Sequence, residues 1–328
     1  MKDGILIIDK PQNWTSHDCV AVCRRAVGNM KTGHGGTLDP MAEGMLPVFI
    51  GKATRIMEYL DLDYKTYRCS ARLGVETDTQ DIWGEVTALH ETANITRDDI
   101  IYALDFFAGD ISQTPPKYSA IKHKGKKLYE YARAGKEVEI APRQVHIRRI
   151  DIISMDMESK EVTFDIECSK GTYVRTICSD LGDRLGCGGT LCALKRMSSG
   201  IFDLSGALSP EELKTMSEFE IEKMLIPTDR PLVHFGIIEM SRDRARYFAR
   251  GNSIRYGQFK VPVAPAYSGD VKNKRGISYS NIYKVYERDT QLHGENERRF
   301  LGTGYLDEDN RLLKADKIFA AERVNENI

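Results

Sequence analysis

The chain has 328 residues, of which 41% are hydrophobic and 29% charged, and its formal net charge is −1. This composition is typical of a soluble globular protein, and the length favours two domains over one compact core. No apolar run approaches the roughly 18 residues of a transmembrane helix, and the run Ile5 to Ile8 is too short for a signal peptide. The seven cysteines are therefore expected to be reduced thiols of a cytoplasmic protein without a membrane partner.

The N-terminal part alternates predicted strands and helices around a glycine-rich loop. Ser16 stands where a helix N-cap is expected, and Gly28 is placed to end that helix. KTYRCSARLG alternates apolar and polar residues, which predicts a half-buried strand with Tyr67 on its inward face. In chain order, strands are expected at 5–8, 45–51 and 65–74, and helices at 16–28 and 52–61, the latter with Ile56 and Leu60 inward.

The middle of the sequence continues this alternation but is interrupted by a segment rich in lysine and tyrosine. Thr96 and Asp99 form a capping-box pattern that predicts a helix start. Pro115 and Pro116 break any regular element within 111–144, so we expect an insertion that extends from the core and holds one or two helical turns. The other expected elements are a helix at 95–109, a strand at 162–169, a helix at 171–186, a strand at 189–202 and a helix at 209–216.

Strands that follow one another directly predict an α+β fold with a mixed sheet, because strict strand–helix–strand repeats are few. A domain boundary is expected near 228–240. Residues 1–235 form the larger domain, and 236–328 predict one helix followed by short strands with turns, a small β-rich domain. APAYSGDVKNKRG and GENERR, within 262–299, are typical of loops, and the sequence assigns them no role.

Positive charge is concentrated in two segments although the whole chain is nearly neutral. Lys117 to Lys136 contains seven basic residues and one acidic residue, and Arg242 to Lys260 contains six and one. Such patches are compatible with a polyanion bound on one face. A solvated, lysine-rich loop explains them equally well, so charge alone leaves both interpretations open.

The loop KTGHGGTLDP holds His34 and Asp39 among turn-forming residues. It lacks the Gly-Lys-Ser/Thr of a Walker loop and the third glycine of a dinucleotide fingerprint, which excludes both kinds of phosphate cradle. As a metal site it would offer only two ligands. From the residues alone, Asp39 is either the cap of a turn before Pro40 or part of a functional site.

Four motifs, in this order and at this spacing, resemble those of the TruB family, the tRNA pseudouridine-55 synthases. GHGGTLDPMAEGMLPV is similar to the family's catalytic motif, and DKPQNWTSHD resembles its N-terminal Lys-Pro motif. YKTYRCSARLGVETDTQD resembles its tyrosine strand, and SKGTYVRTICSDLGDRLGCGGTLCALKRMSSGIF its arginine helix and the leucine that follows. The resemblance spans about residues 1–235, and the C-terminal part looks more loosely like a PUA-like RNA-binding domain.

This resemblance implies a pseudouridine-synthase fold with a central mixed, largely antiparallel sheet. It also implies an isomerase that flips uridine 55 out of the tRNA T loop, breaks its N1–C1′ bond, rotates the base and bonds C5 to C1′. No cofactor and no metal are expected. Asp39 matches the catalytic aspartate, Arg175 the arginine paired with it, and Tyr67 the active-site tyrosine. The pattern alone would equally fit a core tyrosine and a solvent-facing helix arginine.

Other positions match residues that contact or support the substrate. His34 matches the residue that takes the place of the extruded base, Tyr173 and Leu194 match residues lining the uridine pocket, and Lys10 and Asp81 match supporting motif positions. The glycines beside His34 would then bring the backbone close to a flipped nucleotide.

By the same resemblance, the segment 111–144 is the thumb that closes over the T stem-loop. Its candidate RNA-binding residues are Lys117, Lys122, Lys124, Lys126 and Lys127. Relatives that depend on a guide RNA lack this thumb, so its presence implies a stand-alone enzyme without a guide RNA, and a monomer is expected. The rival hypothesis is a non-catalytic RNA-binding protein on the same scaffold, which the loss of Asp39, Tyr67 or Arg175 would have favoured.

Overall fold

The structure is a computed structural model that describes residues 2–62, 64–288 and 298–320. Up to residue 235 the elements are β1 (Gly4–Lys10), α1 (Ser16–Ala26), β2 (Thr32–His34), β3 (Glu43–Ile50), a 3-10 helix (Gly51–Leu62), β4 (Lys65–Leu73), β5 (Val75–Thr77), β6 (Val86–Leu89), α2 (Arg97–Asp105), β7 (Gly109–Gln113), β8 (Lys122–His123), β9 (Lys126–Lys127), α3 (Leu128–Arg133), β10 (Arg143–Asp156), β11 (Glu161–Cys168), α4 (Val174–Leu185), β12 (Gly189–Ser199), β13 (Phe202–Asp203), α5 (Pro210–Thr215) and α6 (Glu218–Met224). Beyond it are β14 (Gly236–Met240), α7 (Arg242–Ala249), β15 (Ile254–Arg255), β16 (Lys260–Val263), a 3-10 helix (Tyr279–Asn281), β17 (Ile282–Arg288), β18 (Arg298–Asp307) and β19 (Leu312–Ile318).

A nine-stranded sheet forms the centre of the larger part, in the order β1-β3-β12-β4-β11-β10-β7, with β2 added to β3 and β13 to β12. The pair β12–β3 is parallel and the other pairs are antiparallel. The predicted α+β fold with a mixed, largely antiparallel sheet is confirmed. Inward residues of β4 and β11 pack under α4 in one core, which includes Cys69, Phe164 and Ile177.

A six-stranded sheet, in the order β15-β19-β18-β17-β14-β16, makes the C-terminal part rich in strands as expected. It joins the larger part through an aromatic cluster in which the rings of Tyr59, Phe235 and Tyr279 meet edge to face, with centroids 4.9 to 5.7 Å apart. The buried carboxylate of Asp316 accepts hydrogen bonds from the hydroxyls of Tyr59 and Thr303. The two parts therefore share a core and a buried polar network.

Two local expectations are wrong for identifiable reasons. Thr15, not Ser16, caps α1, because Asp18 lies three residues after Thr15 and completes a capping box with it. The segment predicted as a helix at 52–61 is 3-10 rather than α, although Ile56 is fully buried and Leu60 packs against the same core as expected.

The insertion expected at 111–144 runs from the end of β7 to the start of β10 and holds the β8–β9 hairpin and the short helix α3. The side chains of Lys117, Lys122, Lys124 and Lys126 are exposed, and Lys127 is partly buried. Residues 264–276 contain no helix or strand, as expected. Of the second predicted loop, GENERR at 294–299, residues 294–297 lie outside the described residues, and Arg298 and Arg299 begin β18 instead of forming a loop. None of the described helices is long and apolar enough to cross a membrane, and all seven cysteines are free thiols.

Candidate active site

The glycine-rich loop that connects β2 to β3 is tied to the protein at several points. The hydroxyl of Ser16 accepts from the Leu38 amide at 2.9 Å and donates to the Leu38 carbonyl at 3.2 Å. The fully buried ammonium of Lys10 donates to the carbonyls of Trp14, Pro11 and Pro40 at 2.6, 3.1 and 3.4 Å. Lys10 therefore holds this loop against the segment before α1, and its donors are used by the backbone.

Packing inside the protein accounts for the glycines of this loop. A Cβ on Gly35 would lie 2.8 Å from the Phe49 ring, and one on Gly36 would lie 3.2 Å from Nη1 of Arg196. Gly36 also has φ +82, a left-handed conformation that glycine adopts at little cost. These contacts give the glycines a role in folding the loop that requires no nucleotide.

Asp39 and Arg175, predicted to pair, lie 3.1 Å apart between carboxylate Oδ2 and guanidinium Nη2. Arg175 belongs to the first turn of α4, and its side chain is 7% exposed, whereas that of Asp39 is 44% exposed. The interaction therefore fixes the carboxylate from the protein side and leaves it accessible to a substrate.

Arg175 also connects two other segments to Asp39. Its Nη1 contacts the Asp81 carboxylate at 3.1 Å and the Thr79 carbonyl at 3.2 Å, and its Nη2 donates to the Tyr118 carbonyl at 3.1 Å. Asp81, a supporting position by sequence, is thus the second and more buried carboxylate partner of this arginine. Because Tyr118 lies near the start of the insertion 111–144, the guanidinium links the root of that segment to the site.

Tyr67 lies on β4, directly opposite Ile166 of β11 and Arg196 of β12. Its ring is partly buried and packs, like the partly buried Leu194, on the core formed by α4 and the sheet. Burial raises the pKa of the Tyr67 phenol, and the Arg196 guanidinium opposes this rise. The predicted inward face of β4 therefore places Tyr67 and Leu194 on neighbouring strands of one surface.

His34 ends β2, and its ring meets that of His17 edge to face, with centroids 5.3 Å apart. Burial, followed by the charges of His17 and Arg196, lowers the pKa of His34, so the ring is neutral at pH 7. Its buried Nδ1 has no hydrogen-bond partner among the described residues. A neutral ring with an unused nitrogen can stack without carrying a charge into the site.

Tyr173 directly precedes α4, and its backbone is clamped by the side-chain amide of Gln113. The Tyr173 amide donates to Oε1 at 2.8 Å, and its carbonyl accepts from Nε2 at 3.1 Å. This clamp ties the start of α4, and hence Arg175, to the end of β7. Tyr173 itself is partly buried at this end of the helix.

The sequence interpretation missed Arg196, which is completely buried. Its Nε donates to the Met45 carbonyl at 2.7 Å and its Nη2 to the Gly36 carbonyl at 3.2 Å. One signal was available: Arg196 follows Leu194 by two residues on a strand, so both side chains share one face. In the part of the chain that the structure describes, no three His, Cys, Asp or Glu side chains converge as metal ligands would.

Comparisons with known proteins point to one family. Residues 24–174 match the family described as TruB family pseudouridylate synthase (N terminal domain), and 175–233 match the tRNA pseudouridylate synthase B C-terminal domain. The chain is 46% identical over 252 residues to tRNA pseudouridine synthase B of Alkaliphilus oremlandii, covering 77% of this chain and 83% of that protein. It is 39% identical over 311 residues to the protein of the same name from Chromobacterium violaceum, covering 94% and 92%.

Among solved structures, the chain resembles one described as a Cbf5-Nop10-Gar1 complex, with a TM-score of 0.69 and 21% sequence identity. The match covers 97% of this chain and 85% of that one, and at this identity it shows a shared fold. The fold, the four motifs and the two family matches agree. The chain therefore belongs to the TruB family of pseudouridylate synthases.

Proposed function

We propose that this protein isomerises uridine 55 in the T loop of tRNA to pseudouridine, with Asp39 acting on the sugar or the base. The observation that carries the proposal is the half-exposed Asp39 carboxylate, held from behind by the buried Arg175 guanidinium. Family membership and the relatives named tRNA pseudouridine synthase B supply the reaction and the substrate class.

The reaction exchanges one bond to C1′ for another. The N1–C1′ bond breaks, the base rotates, a C5–C1′ bond forms, and the proton on C5 is lost to solvent. A positioned carboxylate suits attack at C1′, attack at C6, and assistance of a glycal route, and the geometry favours none of the three. Arg175 orients that carboxylate, and Asp81 fixes Arg175 in turn.

The target base must leave the folded T loop, which costs a few kcal/mol. In this proposal Tyr67 stacks on the flipped uracil, Tyr173 and Leu194 line its pocket, and His34 fills the gap that it leaves. Lys10 contributes by holding the loop that carries Asp39. The exposed lysines of 111–144 contact the phosphates of the T stem-loop, which offsets the cost of flipping.

The protein works alone in this proposal, as a cytoplasmic monomer without guide RNA or cofactor. The lysine-rich insertion supports protein-based recognition, because its root is tied to Arg175 through the Tyr118 carbonyl. The larger domain, 1–235, carries the reaction, and 236–328 is an RNA-binding domain of the PUA-like kind. The basic residues of 242–260 suit that role.

The test supplies the purified protein with T-arm RNA that carries tritium at C5 of uridine. We expect one equivalent of label to be released per RNA without any added guide RNA or cofactor. A second T-arm RNA, with cytidine at the target position and label at the other uridines, should release none. If the wild-type protein binds the first RNA but releases no label, the chain is a non-catalytic RNA-binding protein and the proposal is wrong.

A further inference from the structure

Arg196 places an uncompensated positive charge inside the protein. Its side chain is fully buried at the centre of β12, yet it forms no ion pair with any carboxylate among the described residues. Two of its nitrogens donate to the Met45 and Gly36 carbonyls. The third, Nη1, makes no contact of hydrogen-bond geometry in the described part of the chain, and the Tyr67 phenol is the side chain that interacts with this guanidinium. A buried charge without a carboxylate partner is costly to keep.

A purely structural tether does not explain this charge. The two carbonyl contacts join β3 and the loop after β2, and a neutral side chain with N–H groups could make such bonds without burying a cation. The loop also packs closely on this side chain, since a Cβ on Gly36 would lie 3.2 Å from Nη1. The two carbonyl contacts and this packing leave the positive charge itself without an explanation.

The register of the sheet shows what Arg196 faces. Arg196 and Tyr67 are directly opposite on the antiparallel strands β12 and β4, so their side chains leave the sheet on the same face. The other groups that act on the Tyr67 phenol are Cys168 from β11 and Asp39 from the loop. Lys10 and His34 are the further titratable groups that interact with Arg196.

The geometry points to Arg196 as a positioning residue for the isomerisation, acting through Tyr67: its guanidinium holds the Tyr67 oxygen and stabilises the anion there while the C5 proton is removed. In that step the C5–H bond breaks, its electron pair returns to the uracil ring, and the proton joins the phenolate oxygen. The resulting phenol then loses the proton to solvent. This inference rests on the proposed function and explains how Tyr67 can accept a proton in that reaction.

The direction of the pH effect follows from the neighbours of Tyr67. Burial, Cys168 and Asp39 all raise the pKa of the phenol, and Arg196 is the group that lowers it. Without the guanidinium the phenolate is populated only at higher pH. The rising limb of a plot of the logarithm of the single-turnover rate constant against pH therefore moves to higher pH when the charge is removed.

The experiment is a double-mutant cycle on single-turnover isomerisation. Arg196→Gln should lower the rate constant by about 100-fold, within the range of general acid–base catalysis, with KM within about threefold. The rising limb should shift upward in pH. In the Tyr67→Phe background the same change should cost less than about threefold, because the hydroxyl on which it acts is gone. Arg149→Gln, on an exposed arginine of β10, should leave rate and profile unchanged.

Equal losses in both backgrounds, or an unmoved pH limb, would overturn this role of Arg196. If Arg196→Gln unfolds in thermal melts, Arg196→Lys is measured instead: because it keeps the charge, its rising limb should stay at the wild-type pH, and a limb shifted to higher pH would overturn this role. Tyr67→Phe alone, which removes a single oxygen atom, is an independent test: it must abolish the rising limb, and an unchanged limb would refute the inference. Absence of turnover by the wild-type protein would instead refute the proposed function.

Discussion

Arg175→Met removes the cation that two carboxylates share, and the structure sets the size of the effect. The side chains of Arg175 and Asp81 are 7% and 10% exposed, so removing one partner of this buried pair should cost about 3–5 kcal/mol of unfolding free energy. Asp39 is 44% exposed, and its pair should add about 1 kcal/mol or less. The combined loss of unfolding free energy is a large share of the 5–15 kcal/mol that stabilises a typical domain.

The same substitution should lower the rate of isomerisation by about 100-fold or more, because Asp39 loses the group that fixes its position. Urea denaturation measures the stability and single-turnover kinetics the rate. Arg175→Lys is the matched variant: it keeps the charge but cannot reach Asp39, Asp81 and Tyr118 together, so it should be intermediate in both.

A second substitution shows whether an unpaired charge causes the loss of stability. Adding Asp81→Asn to Arg175→Met removes the buried carboxylate that has lost its cation, so the double variant should be more stable than Arg175→Met alone. Its activity should remain low, because Asp39 still lacks its partner. If Arg175→Met leaves both the unfolding free energy and the rate unchanged, the account of Arg175 as the centre of the site is wrong.

Two further perturbations test the insertion and the loop. Changing Lys122, Lys124, Lys126 and Lys127 to glutamine should weaken RNA binding. The slope of log K against log salt concentration should become shallower by about 0.9 for each phosphate that is no longer neutralised. Lys214→Gln on α5 should change neither the affinity nor the slope, and an unaltered slope in the fourfold variant would show that these lysines do not contact RNA. Gly36→Ala should destabilise the protein by about 1–2 kcal/mol because of its left-handed backbone, and by a further amount because the new Cβ lies close to Arg196. Gly135→Ala is the control, since Gly135 has φ +64 and open space around it and therefore reports the backbone cost alone. Equal losses of stability in the two variants would show that the Arg196 side chain moves aside at no cost.

The sequence predicts best where a pattern is local or matches a motif. Alternation on β4 is a property of neighbouring residues, and it places Tyr67 and Cys69 on the inward face as the structure has them. The pairing of Asp39 with Arg175 follows from the resemblance, and the 3.1 Å contact agrees with it. The helix start at Thr96 and Asp99 is likewise set by residues three apart.

Features that depend on distant partners were not predictable in this way. Ser16 was assigned to a cap, but its hydroxyl bonds Leu38, which is 22 residues away. The need for glycine at position 36 comes partly from Arg196, which is 160 residues away, and no local pattern shows that contact. Arg196 itself looks like a polar residue on an alternating strand until the sheet order buries it between β3 and β4.

Tritium release from C5 by Asp39→Asn under single-turnover conditions decides whether Asp39 is the catalytic carboxylate. The amide keeps the size of the side chain but cannot act as a carboxylate, so RNA binding should persist while release falls to the uncatalysed level. Asp309→Asn, the same change in the exposed β18–β19 turn, should release label at the wild-type rate. Undiminished release by Asp39→Asn would contradict the assignment of Asp39 as the catalytic carboxylate.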